Sequence, residues 1–229
     1  NNASGDPHFG KWFVFFGTGS YFKAGDATNT QTQTWYGITV EGTPVPAGRG
    51  SLKQRAIQMV GPIGSTPSRT FSAATADDMT GMRGWYIDWD NPVLGERIIT
   101  SSKIVQFVKP ALMTSSMYPI PSDPCEPGGK GYLNFVDPWS GAGTTVDILD
   151  VNGDGNFTND RLGGDIVGSV DLGVGIPTEA LSMAAGSRVL IFVGGSGTSS
   201  TSSALIKHIV GLGPASFKGR VSWREIIRD

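Results

Sequence analysis

The chain has 229 residues, of which 33 are glycine, and only 17% are charged, with a formal net charge of −2. The absence of a basic run predicts no nucleic-acid partner. No apolar stretch approaches the roughly 18 residues of a membrane-spanning helix, and we expect residues 1–6 not to be a signal peptide.

Short apolar segments separated by Gly, Pro, Asn and Asp follow one another along the chain, a pattern typical of β-strands and turns. Residues 12–16 form a continuous apolar run that predicts a fully buried strand, and residues 188–193 have the same character. Residues 51–59 and 178–185 fit either a short helix or a strand. The other predicted strands cover residues 34–40, 84–88, 97–100, 104–108, 132–136, 167–172, 204–210 and 220–226.

This many short strands predicts an all-β fold: a sandwich, a barrel or a propeller. A loose repetition favours the β-propeller, because residues 12–19 and 188–197 both read as an apolar strand followed by a glycine-rich turn. The strands suffice for about three four-stranded blades, fewer than the four to eight of a closed propeller. We therefore expect the chain to be part of a longer protein.

A metal-binding pattern lies between two of the predicted strands. Asp150, Asn152 and Asp154 occupy positions 1, 3 and 5 of an EF-hand-type calcium loop, and Gly155 occupies position 6. Ca²⁺ takes six to eight oxygen ligands, and the alternating side chains of such a loop point at one centre. Gly155 is expected to make the sharp turn at a place where a Cβ would clash.

The second half of the loop departs from the EF-hand. Asn156 at position 7 would contribute its backbone carbonyl, and Thr158 at position 9 would bind weakly or through water. Position 12, where glutamate is expected, is Arg161, which makes Asp160 the better closing carboxylate. We predict an inter-strand Ca²⁺ site in an insertion at about residues 141–164; the alternative is a metal-free surface turn. Its predicted ligands are Asp150, Asn152, Asp154, Asn156, Thr158 and Asp160.

No other group of residues predicts a catalytic centre, and we expect the protein not to be an enzyme. Cys125 is the single cysteine, and its carboxylate neighbours disfavour a reactive thiolate. The only histidines, His8 and His208, are far apart, so the chain lacks the ligands for a zinc site. The glycine-rich turn after residue 16 lacks the lysine and the helix of a phosphate-binding loop.

Two carboxylate pairs and several tryptophans leave alternatives open. Asp77 with Asp78, and Asp88 with Asp90, would suit glycoside hydrolysis, although aspartates at β-turns are far commoner. The strand aromatics are expected in the sheet core. A surface patch that includes Trp89 or Trp139 would instead suit glycan binding. The aromatics concerned are Trp12, Trp35, Tyr36, Trp85 and Trp89.

Several sequence blocks occur together in a recognisable order. The first block comprises residues 15–21, 25–26 and 33–38, and the second comprises residues 84–88 and 95–98. The third comprises residues 123–125 and 128–133. The Asp150 loop and residues 219–225 complete the series. In this order the blocks resemble the C-terminal propeller domain of the type IV pilus tip-associated adhesin and assembly factor family (PilC/PilY type).

The resemblance implies a quinoprotein-like propeller of about seven blades, of which residues 1–229 would be roughly the C-terminal three. It implies a role at the pilus tip of a Gram-negative bacterium, reached through the periplasm, in pilus assembly, extension against retraction, and surface attachment. The implied partners are the N-terminal region and remaining blades of the same protein, the pilins, and a host or abiotic surface. The family's calcium loop usually has Asp at position 9, where this chain has Thr158.

Two other functions remain as alternatives. A lectin-like module would bind glycans through exposed aromatic side chains. A quinone-dependent dehydrogenase on the same type of propeller would need a cofactor cavity with stacking residues and a nearby metal-binding carboxylate, and the sequence contains no such constellation.

Overall fold

The computed structural model describes residues 10–120, 129–197 and 206–214, and these form an all-β structure, as predicted. Within these ranges no α-helix occurs, and no helix is long and apolar enough to cross a membrane. Two 3-10 helices, Ala24–Thr28 and Gly48–Ser51, lie in loops. The strands are β1 (Trp12–Gly17), β2 (Gln33–Val40), β3 (Lys53–Arg55), β4 (Ile57–Ile63), β5 (Thr66–Phe71), β6 (Gly84–Trp89), β7 (Lys103–Gln106), β8 (Pro110–Pro119), β9 (Gly129–Val136), β10 (Leu149–Asp150), β11 (Arg161–Leu162), β12 (Asp165–Ile166), β13 (Ser169–Val170), β14 (Leu181–Ala185), β15 (Arg188–Gly194) and β16 (Ile206–Leu212).

The described strands form three sheets and a hairpin. The first sheet has the order β1-β2-β6-β3, the central sheet β4-β5-β13-β9-β8-β7, and the third sheet β10-β16-β15-β14. Strands β11 and β12 pair only with each other. The pairings are antiparallel except that of β3 with β6, which is parallel. The sheets therefore do not correspond to three consecutive four-stranded blades, because β4 and β5 leave the first sheet between β3 and β6 and join the central one.

Two apolar cores lie on opposite faces of the central sheet. One contains Trp35, Trp85 and Trp89 of the first sheet together with Leu112 and Val136 of the central sheet. The other joins the central sheet to the third and includes the residues Phe107, Phe135, Val170, Ile191 and Ile209. Covering on both faces explains why β8 and β9 read as nearly continuous apolar or small residues rather than as an alternating pattern.

A buried polar network lies between the first and central sheets. The Arg69 guanidinium donates to both Glu96 carboxylate oxygens, at 2.7 and 2.9 Å, and also to Asn134 and Ser169. It stacks 3.6 Å from the centre of the Tyr132 ring. Because Arg69 and Glu96 are both fully buried, the pair is stable only while each keeps its partner.

The structure corrects one strand prediction and settles two segments that fitted either a helix or a strand. Residues 97–100 are not a strand; Arg97 forms a single bridge with Met117, and its side chain donates to the carbonyls of Gly95, Ser20 and Asp26. Within the segments 51–59 and 178–185, strands β3, β4 and β14 form and no α-helix does, although Ser51 ends a 3-10 helix. The predicted strand at 220–226, the resemblance blocks at 123–125 and 219–225, and the residues His8 and Cys125 lie outside the described residues.

The prediction that β1 is fully buried was wrong. Trp12 is 80% exposed, and Val14 and Phe16 share its face, whereas Phe13 and Phe15 turn inward against Trp139. The continuous apolar run reflects two apolar faces, of which only one is covered. We call the exposed face, made by Trp12, Val14, Phe16 and Val40, the first outer face.

The third sheet has a matching exposed face. Leu181 is 63% exposed, and Met183 lies two residues further along the same face of β14. Val189, Ile191 and Val193 alternate with the residues of that face and enter the core. We call the face containing Leu181 and Met183 the second outer face. Both end sheets of the stack thus leave apolar side chains exposed among the described residues.

Candidate metal centre

The predicted calcium loop connects the third sheet to a hairpin. Asp150 ends β10 and pairs with Val210 of β16, and Arg161 begins β11. Val151 and Phe157 are buried, while residues 152–156 between them are exposed. Two apolar anchors therefore hold a polar loop on the surface, with its side-chain oxygens accessible.

Repeated turns in which a side-chain oxygen accepts a backbone N–H shape the loop. Asp150 accepts from the N–H groups of Gly153 and Gly155, at 2.8 and 3.0 Å. Asn152 accepts from the N–H of Asp154 at 2.9 Å, and Asp154 accepts from that of Asn156 at 2.7 Å. The alternate oxygen-bearing residues thus curl the backbone themselves, because short Asx side chains compete well for nearby amides.

The same arrangement continues into the second half of the loop. Asn156 Oδ1 accepts from both the backbone N–H and the hydroxyl of Thr158, at 3.1 and 2.9 Å. Asn159 Nδ2 donates to Asp154 Oδ2 at 2.6 Å. The hydrogen bonds that Asp154 accepts, from the Asn156 N–H first and then from the side-chain amides of Asn159 and Asn152, lower its pKa and favour its carboxylate form.

Gly155 is required for a different reason from the one predicted. A Cβ added there would meet no atom within 4 Å, so no clash excludes a larger residue. Its φ is +82°, and that of Gly153 is +78°, a region that residues with a Cβ rarely adopt. The backbone conformation, rather than crowding, selects glycine at both positions.

Asp160 is the least satisfied carboxylate of the loop. The residue is only 2% exposed. Its Oδ2 accepts from the Val151 N–H at 3.0 Å, whereas its Oδ1 is buried without a hydrogen-bond partner. Burial, opposed by backbone hydrogen bonds and aided by the charges of Asp150 and Asp154, raises its pKa. A buried carboxylate oxygen with no donor fits a site whose missing partner is a cation.

The donor set suits a hard oxygen-binding ion but is not a dense carboxylate cluster. Within the described ranges, no three His, Cys, Asp or Glu side chains are grouped closely enough to hold a metal ion on their own. A calcium ion would therefore also need the amide oxygens of Asn152 and Asn156 and backbone carbonyls. The six predicted ligands stay a prediction.

Arg161, at the position of the EF-hand glutamate, closes the loop without contributing a ligand. Its guanidinium donates to both carboxylate oxygens of Asp147, at 3.0 and 2.7 Å, and to the Gly164 carbonyl at 3.0 Å. The guanidinium of Arg188 lies 4.8 Å from the centre of the Phe157 ring, which ties the loop to β15. The sequence prediction missed both contacts; the only signal was a basic residue where a carboxylate was expected.

One carboxylate of each pair considered for glycoside hydrolysis has a structural partner. Arg55 donates to both oxygens of Asp78, at 2.7 and 3.1 Å, and this pairing lowers the pKa of Asp78 to about 2. Asp88 accepts from Arg49 and from the Thr34 hydroxyl. Asp78 is therefore held as a carboxylate rather than in the protonated state that a general acid requires.

The glycan-binding patch that was left open as an alternative does not include Trp89. Trp89 is fully buried in the core, as the leading prediction for the strand aromatics had it, because the first sheet packs its indole ring against Phe71 and Trp35. Trp139 is half-buried against Phe13 and Phe15. Of the strand aromatics, Trp35, Trp85 and Trp89 are in the core as predicted, whereas Trp12 is exposed.

Comparison with known proteins gives relatives for nearly the whole chain, although no protein-family model matches it. A type IV pilus biogenesis factor PilY1 homolog of Xylella fastidiosa is 31% identical over 222 residues, covering 96% of this chain and 17% of that protein. The type IV pilus biogenesis factor PilY1 of Pseudomonas aeruginosa is 28% identical over 161 residues, covering 61% of this chain and 13% of that protein. The chain thus spans less than a fifth of the length of these relatives.

The fold has a counterpart of known structure. The crystal structure of the Pseudomonas aeruginosa PilY1 C-terminal domain matches with a TM-score of 0.60 at 20% identity, over 89% of this chain and 42% of that chain. The all-β arrangement is therefore shared with that domain. Over the described residues the sheets of this chain do not close into a ring.

Proposed function

This chain is homologous to the PilY1 family of type IV pilus biogenesis factors over nearly its whole length, and we propose that it is a calcium-binding, structural segment of such a factor. The observation that carries the calcium proposal is the partnerless, buried Oδ1 of Asp160, placed beside a loop whose oxygens alternate as in an EF-hand. The relatives' names support the role in pilus biogenesis.

The predicted ligands would contribute to calcium binding in two ways. Asp150, Asp154 and Asp160 would supply charge, and the oxygens of Asn152, Asn156 and Thr158 would complete the hard-oxygen set that Ca²⁺ prefers. A bound divalent cation supplies the positive charge that offsets the burial of Asp160. Because Val151 and Phe157 anchor the loop in the core, stabilisation of the loop would extend to β10 and β16 of the third sheet.

The two outer faces support the propeller proposal. In an antiparallel sheet that faces water, side chains on the exposed face are usually polar, whereas Trp12, Val14, Leu181 and Met183 are apolar. We propose that further sheets of the same protein cover both faces and complete a propeller of about seven blades. The solved relative is consistent with this, since the matching region is only 42% of that chain.

The proposed setting is the outside of a Gram-negative bacterium. After passage through the periplasm, the protein would stand at the tip of a type IV pilus and contact pilins and a host or abiotic surface. Calcium would act there as a clamp, favouring pilus extension when the loop is filled. The relatives' names support the role in pilus biogenesis, whereas the tip position, the contacts and the calcium clamp are proposed from the family resemblance of the sequence.

Calorimetric titration of calcium, together with thermal unfolding, tests the metal site. At a free calcium concentration of about 100 Kd, binding should stabilise the protein by about 2.7 kcal/mol, which raises the Tm by about 2–4 °C per kcal/mol for a chain of this size. Asp154→Ala should abolish the heat of binding and the Tm increase. Asp165→Ala, in the neighbouring β12, should retain both; an unchanged Tm with and without calcium in the wild type would refute the site.

Counting surface pili tests the cellular role separately. In a full-length protein expressed from its own locus, Asp154→Ala should reduce the number of extended pili, while Asp165→Ala should not. If the Asp154→Ala strain has normal pilus numbers while the purified variant has lost calcium binding, the metal site stands but its proposed role in extension is refuted.

A further inference from the structure

Asn152 and Gly153 form the single Asn-Gly pair among the 229 residues. Both residues are exposed, and they lie at positions 3 and 4 of the loop. We propose that Asn152 is a site of spontaneous deamidation, and that a cation bound in the loop protects it. The protection rests on the proposed function, whereas the modification itself does not.

The chemistry uses only the chain and water. The backbone nitrogen of Gly153 attacks the side-chain carbonyl carbon of Asn152, a C–N bond forms, and the side-chain nitrogen leaves as ammonia. The amide proton of Gly153 passes through solvent to the departing nitrogen, so charge is balanced. Water then opens the resulting five-membered imide at either carbonyl, giving aspartate or isoaspartate, and no oxidant or reductant is needed.

The residue after Asn152 removes the usual steric obstacle to this attack. A Cβ on the residue following asparagine crowds the ring-closing nitrogen, and Gly153 has none. An added Cβ at Gly153 would also meet nothing within 4 Å, so the surrounding loop leaves space for the ring. Asn156 and Asn159 share the loop, but Phe157 and Asp160 follow them and carry side chains.

Hydrogen bonds around Asn152 polarise both reacting groups. The Gly153 N–H already donates to Asp150 Oδ1 at 2.8 Å, which draws its proton away from the attacking nitrogen. Asn152 Oδ1 accepts from the Asp154 N–H at 2.9 Å, which draws electrons from the carbon under attack. The Asn152 Nδ2 donates to Asp154 Oδ2 at 3.1 Å, a contact that opposes the reaction and must break before ammonia leaves.

A cation in the loop would draw Asp150 away from the Gly153 N–H and fix the Asn152 side chain, so the protection comes from geometry rather than from the polarity of the Asn152 carbonyl. The oxygens of Asp150 and Asn152 would then bind the ion, and the side chain of Asn152 would be held away from the Gly153 nitrogen. Of the two products, aspartate adds a carboxylate at position 3. Isoaspartate moves one carbon from the side chain into the backbone, which breaks the alternating spacing on which the ligand set depends.

The test is to age the whole protein at neutral pH, with a chelator or with calcium, and to map its peptides by mass spectrometry. Without calcium, Asn152 should be modified at least about tenfold faster than Asn156 or Asn159, a barrier difference of about 1.4 kcal/mol. At about 100 Kd of calcium only about 1% of loops are free, so modification of Asn152 should slow by at least about tenfold. The two neighbouring asparagines are controls within the same digest.

The outcomes separate the inference from the proposed function. Modification of Asn152 no faster than that of Asn156 overturns the inference, whatever calcium does. If calorimetry detects calcium binding but calcium fails to slow the modification, the protective part is refuted. If calcium does not bind, the proposed function fails, while the rate in chelator still decides the modification. Asn152→Gln, which keeps an amide but closes a larger ring, should show no modification at residue 152.

Discussion

Replacing Asp160 by asparagine should stabilise the calcium-free protein and destabilise the calcium-loaded one. The wild-type carboxylate is buried, one of its oxygens has no hydrogen-bond partner, and the charges of Asp150 and Asp154 add to its raised pKa. Asparagine has nearly the same shape, and its oxygen can still accept from the Val151 N–H. The substitution removes a buried negative charge and keeps the existing hydrogen bond.

The size of each effect follows from these contacts. An unsatisfied buried polar group costs about 1–3 kcal/mol when it is neutral and more when it is charged. Asparagine keeps a polar atom at the position of Oδ1 but removes the charge, so calcium-free Asp160→Asn should gain a stabilisation on the order of 1 kcal/mol. The corresponding rise in Tm is about 2–4 °C per kcal/mol for a chain of this size. With calcium at about 100 Kd, the wild type gains about 2.7 kcal/mol, most of which the variant should lose. The order of the two melting temperatures should therefore reverse when calcium is added.

Scanning calorimetry in chelator and in calcium measures all four melting temperatures. Asp171→Asn is the matched control, because Asp171 is another buried carboxyl whose pKa is raised by burial, outside the loop. It should leave the calcium-induced increase in Tm unchanged. An Asp160→Asn protein that keeps the full calcium increment, or that is less stable than the wild type in chelator, would contradict the proposed role of Asp160.

Three further predictions concern the rest of the structure. Arg69→Met should destabilise the protein by about 3–5 kcal/mol in urea unfolding, because it leaves Glu96 buried without its counter-charge; a loss below about 1 kcal/mol would contradict this. Arg55 holds the pKa of Asp78 at about 2, below its ordinary value of 3.8. The ion pair therefore contributes fully to stability at a pH above 3.8, and this contribution is lost as the pH falls toward 2. Asp78→Asn should remove this acid sensitivity, which we put at about 1–2 kcal/mol after solvent screening, and Tm measured against pH would detect it. Trp12→Ser should change the stability of this chain by less than about 0.5 kcal/mol but lower its binding of an apolar dye, because the first outer face is exposed. Unchanged dye binding would argue against that face as an apolar surface.

Strand positions were predictable wherever the pattern was local. Residues 34–40, 84–88 and 132–136 lie within β2, β6 and β9, because β-branched and aromatic runs bounded by turn residues need little else to be extended. Residues 97–100 read equally well as a strand and are not one. Arg97 is instead held by carbonyls from a loop some 70 residues earlier, and no local pattern contains that information.

The sequence by itself determined the all-β class and the alternating oxygens of the predicted calcium loop, because turn chemistry and side-chain alternation act over a few residues. Only the tertiary structure decided that Trp89 is buried while Trp12 is exposed, since this depends on which sheet covers which face. It also decided that Asp160 is buried without a partner for Oδ1 and that Arg161 binds Asp147. Burial and ion pairing are set by neighbours that the chain brings together from distant positions, so the same Asp and Arg at the same spacing could equally have faced solvent.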